Sequence, residues 1–235
     1  MSREVIILAG QSNMVGSNAI PNPPPVYEND SRIWVKRQPW SAANNLPFDF
    51  GNPSSGDWVQ SMPDPISYGG VMPGKAMADR YLTLRNDPNL EIGLVPCGVG
   101  ASPINWISPQ FEACWQRSLF SLNCYSHMLA RTIDAQNWGT LKCFVWYQGE
   151  SDTGTFPHPQ YMTSMLELFE RVRQRVGIRD LPIIYTKLGA NPHDLDPNNN
   201  NYPNWVNVQN MQEWGQHFDP RIKMVTASDN SVTAD

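Results

Sequence analysis

The chain has 235 residues, of which 40% are hydrophobic, and this length and composition predict one domain with a sizeable core. Only 17% of the residues are charged and the formal net charge is −5, so the sequence offers no basic surface and argues against a nucleic-acid partner. No apolar run approaches the roughly 18 residues of a membrane-spanning helix, so no membrane partner is expected.

Apolar runs of strand length recur along the chain. Most of them are unbroken rather than alternating, which is typical of strands buried on both faces of a parallel sheet. The predicted strands are, in chain order, 5–9 (VIILA), 31–35 (SRIWV), 91–96 (EIGLVP), 141–147 (LKCFVWY), 182–188 (PIIYTKL) and 222–226 (IKMVT).

Segments with helical spacing alternate with these strands. This alternation predicts an α/β domain with a doubly wound, mostly parallel sheet covered by helices on both faces. Ligands of such a sheet bind beyond the carboxyl ends of its strands. The predicted helices are 73–86, 111–136, 159–176 and 204–217, and three stretches rich in Pro, Asn, Asp and Gly are predicted loops, at 20–30, 37–70 and 190–204.

The first strand runs into GQSNMVG at 10–16, and Ser12 stands just past its carboxyl end. If a helix starts here, its free amide groups would stabilise a developing oxyanion, and Ser12 becomes a candidate nucleophile. A serine that caps the helix is the structural alternative, and this motif alone does not separate the two. The pattern is not G-x-S-x-G, so it does not indicate the nucleophile elbow of α/β-hydrolases.

Two further polar turns follow predicted strands. The strand at 91–96 ends in CGVGASP, where Gly98 and Gly100 allow a backbone amide to approach a ligand closely, although an ordinary glycine turn would look the same. The strand at 141–147 ends in QGESD, which crowds Gln148, Glu150 and Asp152 around a glycine. Either turn alone is typical of a loop, whereas three such turns at strand ends predict one shared site.

GQSNM, the glycine-rich turn and QGESD, in this order, resemble the motifs of the SGNH (GDSL-like) hydrolase superfamily. More narrowly they are similar to its sialate O-acetylesterase and acetylxylan esterase branch, carbohydrate esterase family 6. The resemblance runs from residue 5 to the C-terminus. It implies a three-layer α/β/α sandwich with a flavodoxin-like sheet, and one SGNH hydrolase domain over residues 1–235. It also implies a serine esterase, without metal or cofactor, that removes acetyl groups from small or oligomeric carbohydrates.

The resemblance assigns roles to individual residues. It makes Ser12 the nucleophile, forms the oxyanion hole from the backbone amides of Ser12 and Gly100 and the side-chain amide of Gln148, and gives Glu150 a supporting role in orienting loops. Tyr147 departs from the family pattern, which usually has histidine at this position. Further residues expected to line the pocket are Gln11, Asn13, Trp106, His158 and His193.

A serine nucleophile needs a base, and the base needs an orienting partner. The resemblance supplies both from a late D-x-x-H motif. Asp235 fits the aspartate but is the last residue, so the histidine is expected just beyond the end of the sequence, which we expect to be truncated there. A base moved to His158 or His193 is the alternative.

Two other functions stay open from the sequence. The same residues could serve a general short-chain esterase or thioesterase, or a carbohydrate-binding module whose catalysis is impaired because the triad histidine is absent. Exposed tryptophans can stack on sugars or anchor a core, and jointly they favour a carbohydrate ester over a long acyl chain. Those in or beside predicted loops are Trp40, Trp58, Trp106 and Trp205.

The N-terminus and the cysteines bear on the compartment. The first strand follows Met1 almost at once and leaves no room for a signal peptide, so the chain as written is expected in the cytoplasm. A chain excised from a longer precursor would instead be secreted or part of a larger assembly. The four cysteines lack C-x-x-C spacing and lie in apolar segments, which predicts buried free thiols: Cys97, Cys114, Cys124 and Cys143.

Overall fold

A seven-stranded sheet flanked by helices organises the chain in the computed structural model. The structure describes residues 1–16, 30–36, 56–60, 73–104, 115, 124–154, 160–191, 194, 196, 198 and 203–226. The elements are β1 (Ser2–Gly10), α1 (Ser12–Val15), β2 (Ile33–Lys36), β3 (Trp58–Gln60), α2 (Gly74–Arg85), β4 (Leu90–Pro96), α3 (Cys124–Ala135), β5 (Thr140–Tyr147), a 3-10 helix (Glu150–Thr153), α4 (Tyr161–Val176), β6 (Ile183–Lys187), α5 (Trp205–Gly215) and β7 (Ile222–Thr226).

All six predicted strands are present, and the sequence missed only β3 among the described strands. This strand has three residues, lies within the stretch 37–70 predicted as a loop, and pairs antiparallel with β2. The predicted helices at 73–86, 159–176 and 204–217 correspond to α2, α4 and α5. The fourth, 111–136, corresponds to α3 over its second half, and most of its first half lies outside the described residues.

The strand order is β3-β2-β4-β1-β5-β6-β7, and every neighbouring pair except β2–β3 is parallel. In this order β1 lies between β4 and β5, with Leu8 opposite Pro96 and Gly10 opposite Tyr147. The turns that follow these three strands therefore leave the sheet side by side at one edge. This confirms the mostly parallel α/β sheet and brings the three predicted motifs to one place.

Alternate residues of β1 face two separate hydrophobic cores. Val5 and Ile7 pack into a core that also contains residues of α3, α4 and α5. Ile6 and Leu8 pack into a second core with α2 and with Met14 of α1. Helices thus cover both faces of the sheet, which explains the unbroken apolar strands and confirms the three-layer α/β/α architecture.

The thiols of Cys97 and Cys143 are buried and free, as predicted. Burial raises their pKa to about 11 and about 12, because a thiolate is unfavourable in an apolar core. Cys124 is also buried, and Cys114 lies outside the described residues.

The longest helix among the described residues is α4, with 16 residues. Within the described part of the chain, no helix has both the length and the apolar character needed to cross a membrane.

Candidate active site

At the end of β1 the backbone lies in close contact with the end of β5. Gly10 has φ of 140°, and a Cβ at this position would lie 2.0 Å from the carbonyl oxygen of Tyr147, so only glycine fits. The next residue, Gln11, donates its backbone N–H to that same oxygen at 3.0 Å. The close approach fixes the direction in which the chain enters the following turn.

Ser12 is the first residue of α1, and Gln11 precedes the helix as its N-cap residue. The Gln11 carbonyl accepts hydrogen bonds from the N–H groups of Met14 and Val15, at 2.9 and 3.0 Å, and no side chain caps the helix. The capping alternative for Ser12 is therefore wrong. Its side chain is half-buried, and its hydroxyl makes no hydrogen bond to another described residue. The role of Ser12 as nucleophile stays a prediction.

The turn after β4 lies beside α1. Its backbone continues along β1, since the N–H groups of Cys97 and Val99 donate to Leu8 and Gly10 at 2.7 and 2.8 Å. A Cβ on Gly98 would come within 2.8 Å of Val15, so α1 packs directly on this glycine. A Cβ on Gly100 would meet nothing within 4 Å, and this residue is exposed. The oxyanion role of Gly100 stays a prediction.

The side-chain amide of Gln148 is fully buried among protein groups. Its Nε2 donates to Asp152 Oδ2 at 2.6 Å and lies 3.1 Å from Gln11 Oε1 and 3.2 Å from the Ser102 carbonyl oxygen, while its Oε1 lies 3.2 Å from the Tyr161 hydroxyl oxygen. The two amide hydrogens are thus committed to three acceptors. The predicted oxyanion role stays a prediction, and it requires one of these acceptors to be exchanged for the oxyanion.

The same network joins the three turns. Asp152 Oδ2 also accepts from the Ile104 N–H at 2.9 Å, which ties the turn after β4 to the turn after β5. Gln11 Oε1 also accepts from the Ser151 N–H at 3.2 Å, which ties the start of α1 to the turn after β5. Buried and mutually satisfied polar groups of this kind hold a rigid arrangement.

Glu150 lies against α1. Asn13 donates its side-chain N–H to Glu150 Oε1, whereas Glu150 Oε2 is buried without a hydrogen-bond partner among the described residues. Burial, together with the nearby charge of Asp152, raises the pKa of Glu150 to about 7. The contact with Asn13 is where the predicted supporting role of Glu150 would act, and that role stays a prediction.

Four of the predicted site residues lie outside the part of the chain that the structure describes: Asp235, Trp106, His158 and His193. The other two histidines are His127, buried in α3, and His217, exposed after the end of α5. The predicted base and its orienting aspartate are therefore untested.

Two of the four tryptophans predicted in or beside loops are described, and both pack against the protein. Trp58 stacks on Trp138 with ring centroids 4.3 Å apart. Trp205 is buried and donates its indole N–H to the Gly189 carbonyl at 3.1 Å. For these two the structural interpretation holds. Trp40 and Trp106 lie outside the described residues.

Two residues that hold the turn after β5 were missed by the sequence analysis. The Tyr161 hydroxyl donates to the backbone carbonyl oxygen of Gln148 at 2.8 Å, and the side-chain amide of Gln212 donates to the same oxygen at 2.9 Å. The helical spacing in the sequence could have indicated Gln212, because it falls on the buried face of α5 with Val208 and Gly215. A polar side chain on such a face needs a partner inside the protein.

Comparison with known proteins agrees with these motifs and with this geometry. The family model described as carbohydrate esterase, sialic acid-specific acetylesterase, matches residues 2–235. The chain belongs to this carbohydrate esterase family. It is therefore a carboxylic ester hydrolase by descent, and the resemblance seen in the sequence is confirmed.

The relatives of this esterase include plant and bacterial proteins. The probable carbohydrate esterase At4g34215 of Arabidopsis thaliana is 28% identical over 200 residues, which are 82% of this chain and 72% of the relative. The solved structure of the Arabidopsis protein has a TM-score of 0.67 at 22% identity, covering 99% of this chain and 88% of that one.

Two further solved structures share the fold. XAC1771, a carbohydrate acetylesterase from Xanthomonas citri, has a TM-score of 0.64 at 20% identity, covering 94% of this chain and 49% of that one. NanS has a TM-score of 0.68 at 19% identity, covering 98% of this chain and 79% of that one. At these identities the likeness shows a common α/β fold.

Proposed function

We propose that this carbohydrate esterase is a serine O-acetylesterase that removes acetyl groups from carbohydrates through an acyl-enzyme on Ser12. The observation that carries the proposal is the setting of Ser12. Ser12 is half-buried and its hydroxyl has no partner among the described residues, while the side chains of Gln11 and Asn13 on either side are hydrogen-bonded to the turn after β5. A reactive group held between fixed neighbours is the arrangement that nucleophilic catalysis requires.

The proposed reaction has two halves. A base removes the proton of the Ser12 hydroxyl, the oxygen attacks the acetyl carbonyl carbon, and the resulting oxyanion collapses to release the sugar hydroxyl, which takes the proton. Water then attacks the acetyl-serine, and acetate leaves with the serine regenerated. The backbone N–H groups of Ser12 and Gly100, with Gln148, are the proposed oxyanion donors, and Asp235 with a histidine after it is the proposed orienting and base pair.

Replacing the nucleophile tests this proposal, with wild type and variants both extended to include the histidine proposed after Asp235. Ser12→Ala should lower kcat at least about a thousandfold, because acetyl transfer to the enzyme is lost while residual binding and oxyanion stabilisation remain. Ser151→Ala is the matched control, since Ser151 lies in the turn after β5 and its described bond uses the backbone N–H. Hydrolysis of an acetylated sugar by both variants is the measurement.

Labelling provides a second check on the same assignment. A serine-directed phosphonate should form its adduct on Ser12 in the wild type and in Ser151→Ala, but not in Ser12→Ala. An adduct at another residue, or wild-type turnover by Ser12→Ala, would contradict the assignment.

The substrate class is proposed from the family. The matching family model is described as sialic acid-specific, and relatives are described more broadly as carbohydrate esterases. Comparing kcat/KM for O-acetylated sialic acid, acetylated xylo-oligosaccharides and a small aryl acetate separates the two sugar classes from a general short-chain esterase. A clear preference for the aryl acetate would overturn the carbohydrate assignment.

A further inference from the structure

Strands β5 and β6 separate at Gln148, and a side chain from α5 lies between them. Their pairing ends with Trp146 opposite Tyr185. In a parallel ladder with this register, the next two hydrogen bonds would join the Gln148 N–H to the Thr186 carbonyl oxygen and the Leu188 N–H to the backbone carbonyl oxygen of Gln148. Instead, Leu188 donates to Gln212 Oε1 at 2.9 Å, and Gln212 Nε2 donates to the Gln148 oxygen at 2.9 Å. One primary amide, here named the Gln212 bridge, replaces one ladder bond.

The separation affects one side of β5 only. On the other side, the Tyr147 carbonyl still accepts from the Gln11 N–H at 3.0 Å, and Gly10 remains paired with Tyr147. The end of β5 therefore follows β1 and departs from β6. The side chain of Gln148 remains within hydrogen-bond distance of Gln11 as a result.

The Gln212 bridge is buried and fully bonded. Gln148 and Gln212 are both 0% exposed. The Gln148 carbonyl oxygen accepts from Tyr161 as well as from Gln212, so both of its lone pairs are used. The backbone carbonyl oxygen of Gln212 in turn accepts a hydrogen bond from the Tyr185 hydroxyl, and this contact fixes α5 to β6. Substitution of the bridging amide would leave buried donors and acceptors without partners.

We propose that Gln212 is a positioning residue of this esterase, whose side-chain amide holds β5 apart from β6 and thereby fixes Gln148 against Gln11, next to Ser12. The inference rests on the proposed function, because it assigns Gln212 a role in a reaction at Ser12. Gln212 acts through Gln148 and not on the sugar. Its loss should therefore lower kcat with little effect on KM.

The variant Gln212→Glu tests the two hydrogen bonds of the bridge separately. The introduced carboxylate can still accept from Leu188, but it places an oxygen against the Gln148 carbonyl oxygen where an N–H donated before. At low pH the protonated carboxyl group has an O–H that can donate again. Burial favours this neutral form, and so do the carboxylates of Glu150 and Asp152 in the 3-10 helix, whose charges act on the neighbouring Tyr161. The hydroxyls of Tyr161 in α4 and Tyr185 in β6 are uncharged over this pH range and add no such effect.

The expected result is a pH-dependent rescue. Relative to the wild type at the same pH, kcat of Gln212→Glu should fall about tenfold or more near pH 8 and recover to within about threefold near pH 5, with KM within about twofold. Gln209→Glu is the matched control on the same helix. Gln209 donates to the carbonyls of Leu188 and Gly189, at 2.9 and 2.6 Å, so its substitution should change kcat less than about threefold.

A second variant keeps the test decisive if Gln212→Glu does not fold. Gln212→Met has a similar length but neither a donor nor an acceptor, so its kcat should be low at every pH without recovery. Equal losses in the variants of Gln209 and Gln212, or a loss in Gln212→Glu that acid does not restore, would overturn the proposal.

Hydrogen exchange separates this inference from the proposed function. Amides in 148–152 should exchange faster in Gln212→Glu than in Gln209→Glu near pH 8, because the turn loses its anchor. This readout does not depend on turnover. If the wild type that includes the histidine proposed after Asp235 fails to hydrolyse acetyl esters, the proposed function is wrong. The exchange rates still decide whether Gln212 positions the turn, because equal rates in the two variants would show that it does not.

Discussion

Side chains behind Ser12 are more completely enclosed than Ser12 itself. Gln11, Gln148 and Asp152 are buried, and the side-chain amide of Gln148 is hydrogen-bonded to the other two, whereas Ser12 is half-buried. Each buried polar group in such a network depends on its partner, and removing a partner costs roughly 1–3 kcal/mol. Substitutions behind the serine should therefore affect both stability and activity.

Glu150 should make stability depend on pH. Its pKa in the folded protein is raised from 4.5 to about 7, so the stability present below its ordinary pKa is lost as the pH rises through about 7. Glu150→Gln removes this cost and keeps an oxygen that can accept from Asn13. Its free energy of unfolding should exceed that of the wild type above about pH 7, by up to about 3 kcal/mol.

Urea denaturation at several pH values measures this difference. The gap between Glu150→Gln and the wild type should close as the pH falls below about 5, where the carboxyl group is protonated in both folded and unfolded protein. A difference that stays constant across this range would show that the titration of Glu150 is not its cause.

At the scale of the elements, the specific contacts that position the site lie at the ends of the strands and not in their interiors. The junction of β1 and β5 depends on the absence of a side chain at Gly10, whereas Gly100 has open space around its Cα. The two glycines therefore have different physical roles, although the sequence presents both as members of polar turns.

Gly10→Ala should destabilise the protein by at least about 2 kcal/mol, because the added Cβ collides with backbone and the residue requires a positive φ. Gly100→Ala should change the free energy of unfolding by less than about 0.5 kcal/mol. Thermal or urea denaturation of both variants is the measurement. Similar losses in the two would mean that Gly10 can move away from Tyr147.

The elements were predictable from the sequence to different degrees. Strands such as 91–96 and 141–147 are buried on both faces, so their apolar runs are unbroken and easily recognised. Strand β3 has three residues, too few to show a period. The turns with Ser12 and Gln148 were predictable because polar residues follow a strand directly. Gln212 was not, because it lies 64 residues from Gln148 and its role depends on how α5 packs.

For the molecule as a whole, one ion pair joins the end of α4 to the segment before β7. Arg173 donates to Asp219 at 2.5 Å and to the Leu181 carbonyl at 3.0 Å. The contact lies at the amino ends of β6 and β7, at the edge opposite to Ser12. Hydrogen bonds from Arg221 and Arg173 lower the pKa of Asp219, so the carboxylate remains ionised.

Asp219→Ala should cost about 3 kcal/mol of stability, because it leaves a buried guanidinium group without its carboxylate. Arg221→Ala should cost less than Asp219→Ala, since this second partner of Asp219 is at the surface. The side chain of Arg173 is 2% exposed and that of Arg221 is 43% exposed. Denaturation curves test this order, and kcat of the folded variants should match the wild type. A larger loss from Arg221→Ala would reverse this ranking.

Because of the Gln212 bridge, the distance between the ends of β5 and β6 can be altered by a point mutation. Hydrogen bonds between strand backbones use groups that every amino acid except proline carries, so exchanging a side chain leaves them chemically intact. Between Gln148 and Leu188 the connection passes through a side chain, and its length and polarity can be changed one codon at a time. Laboratory selection for altered turnover or pH response could therefore adjust the width of this gap while the rest of the β ladder stays unchanged.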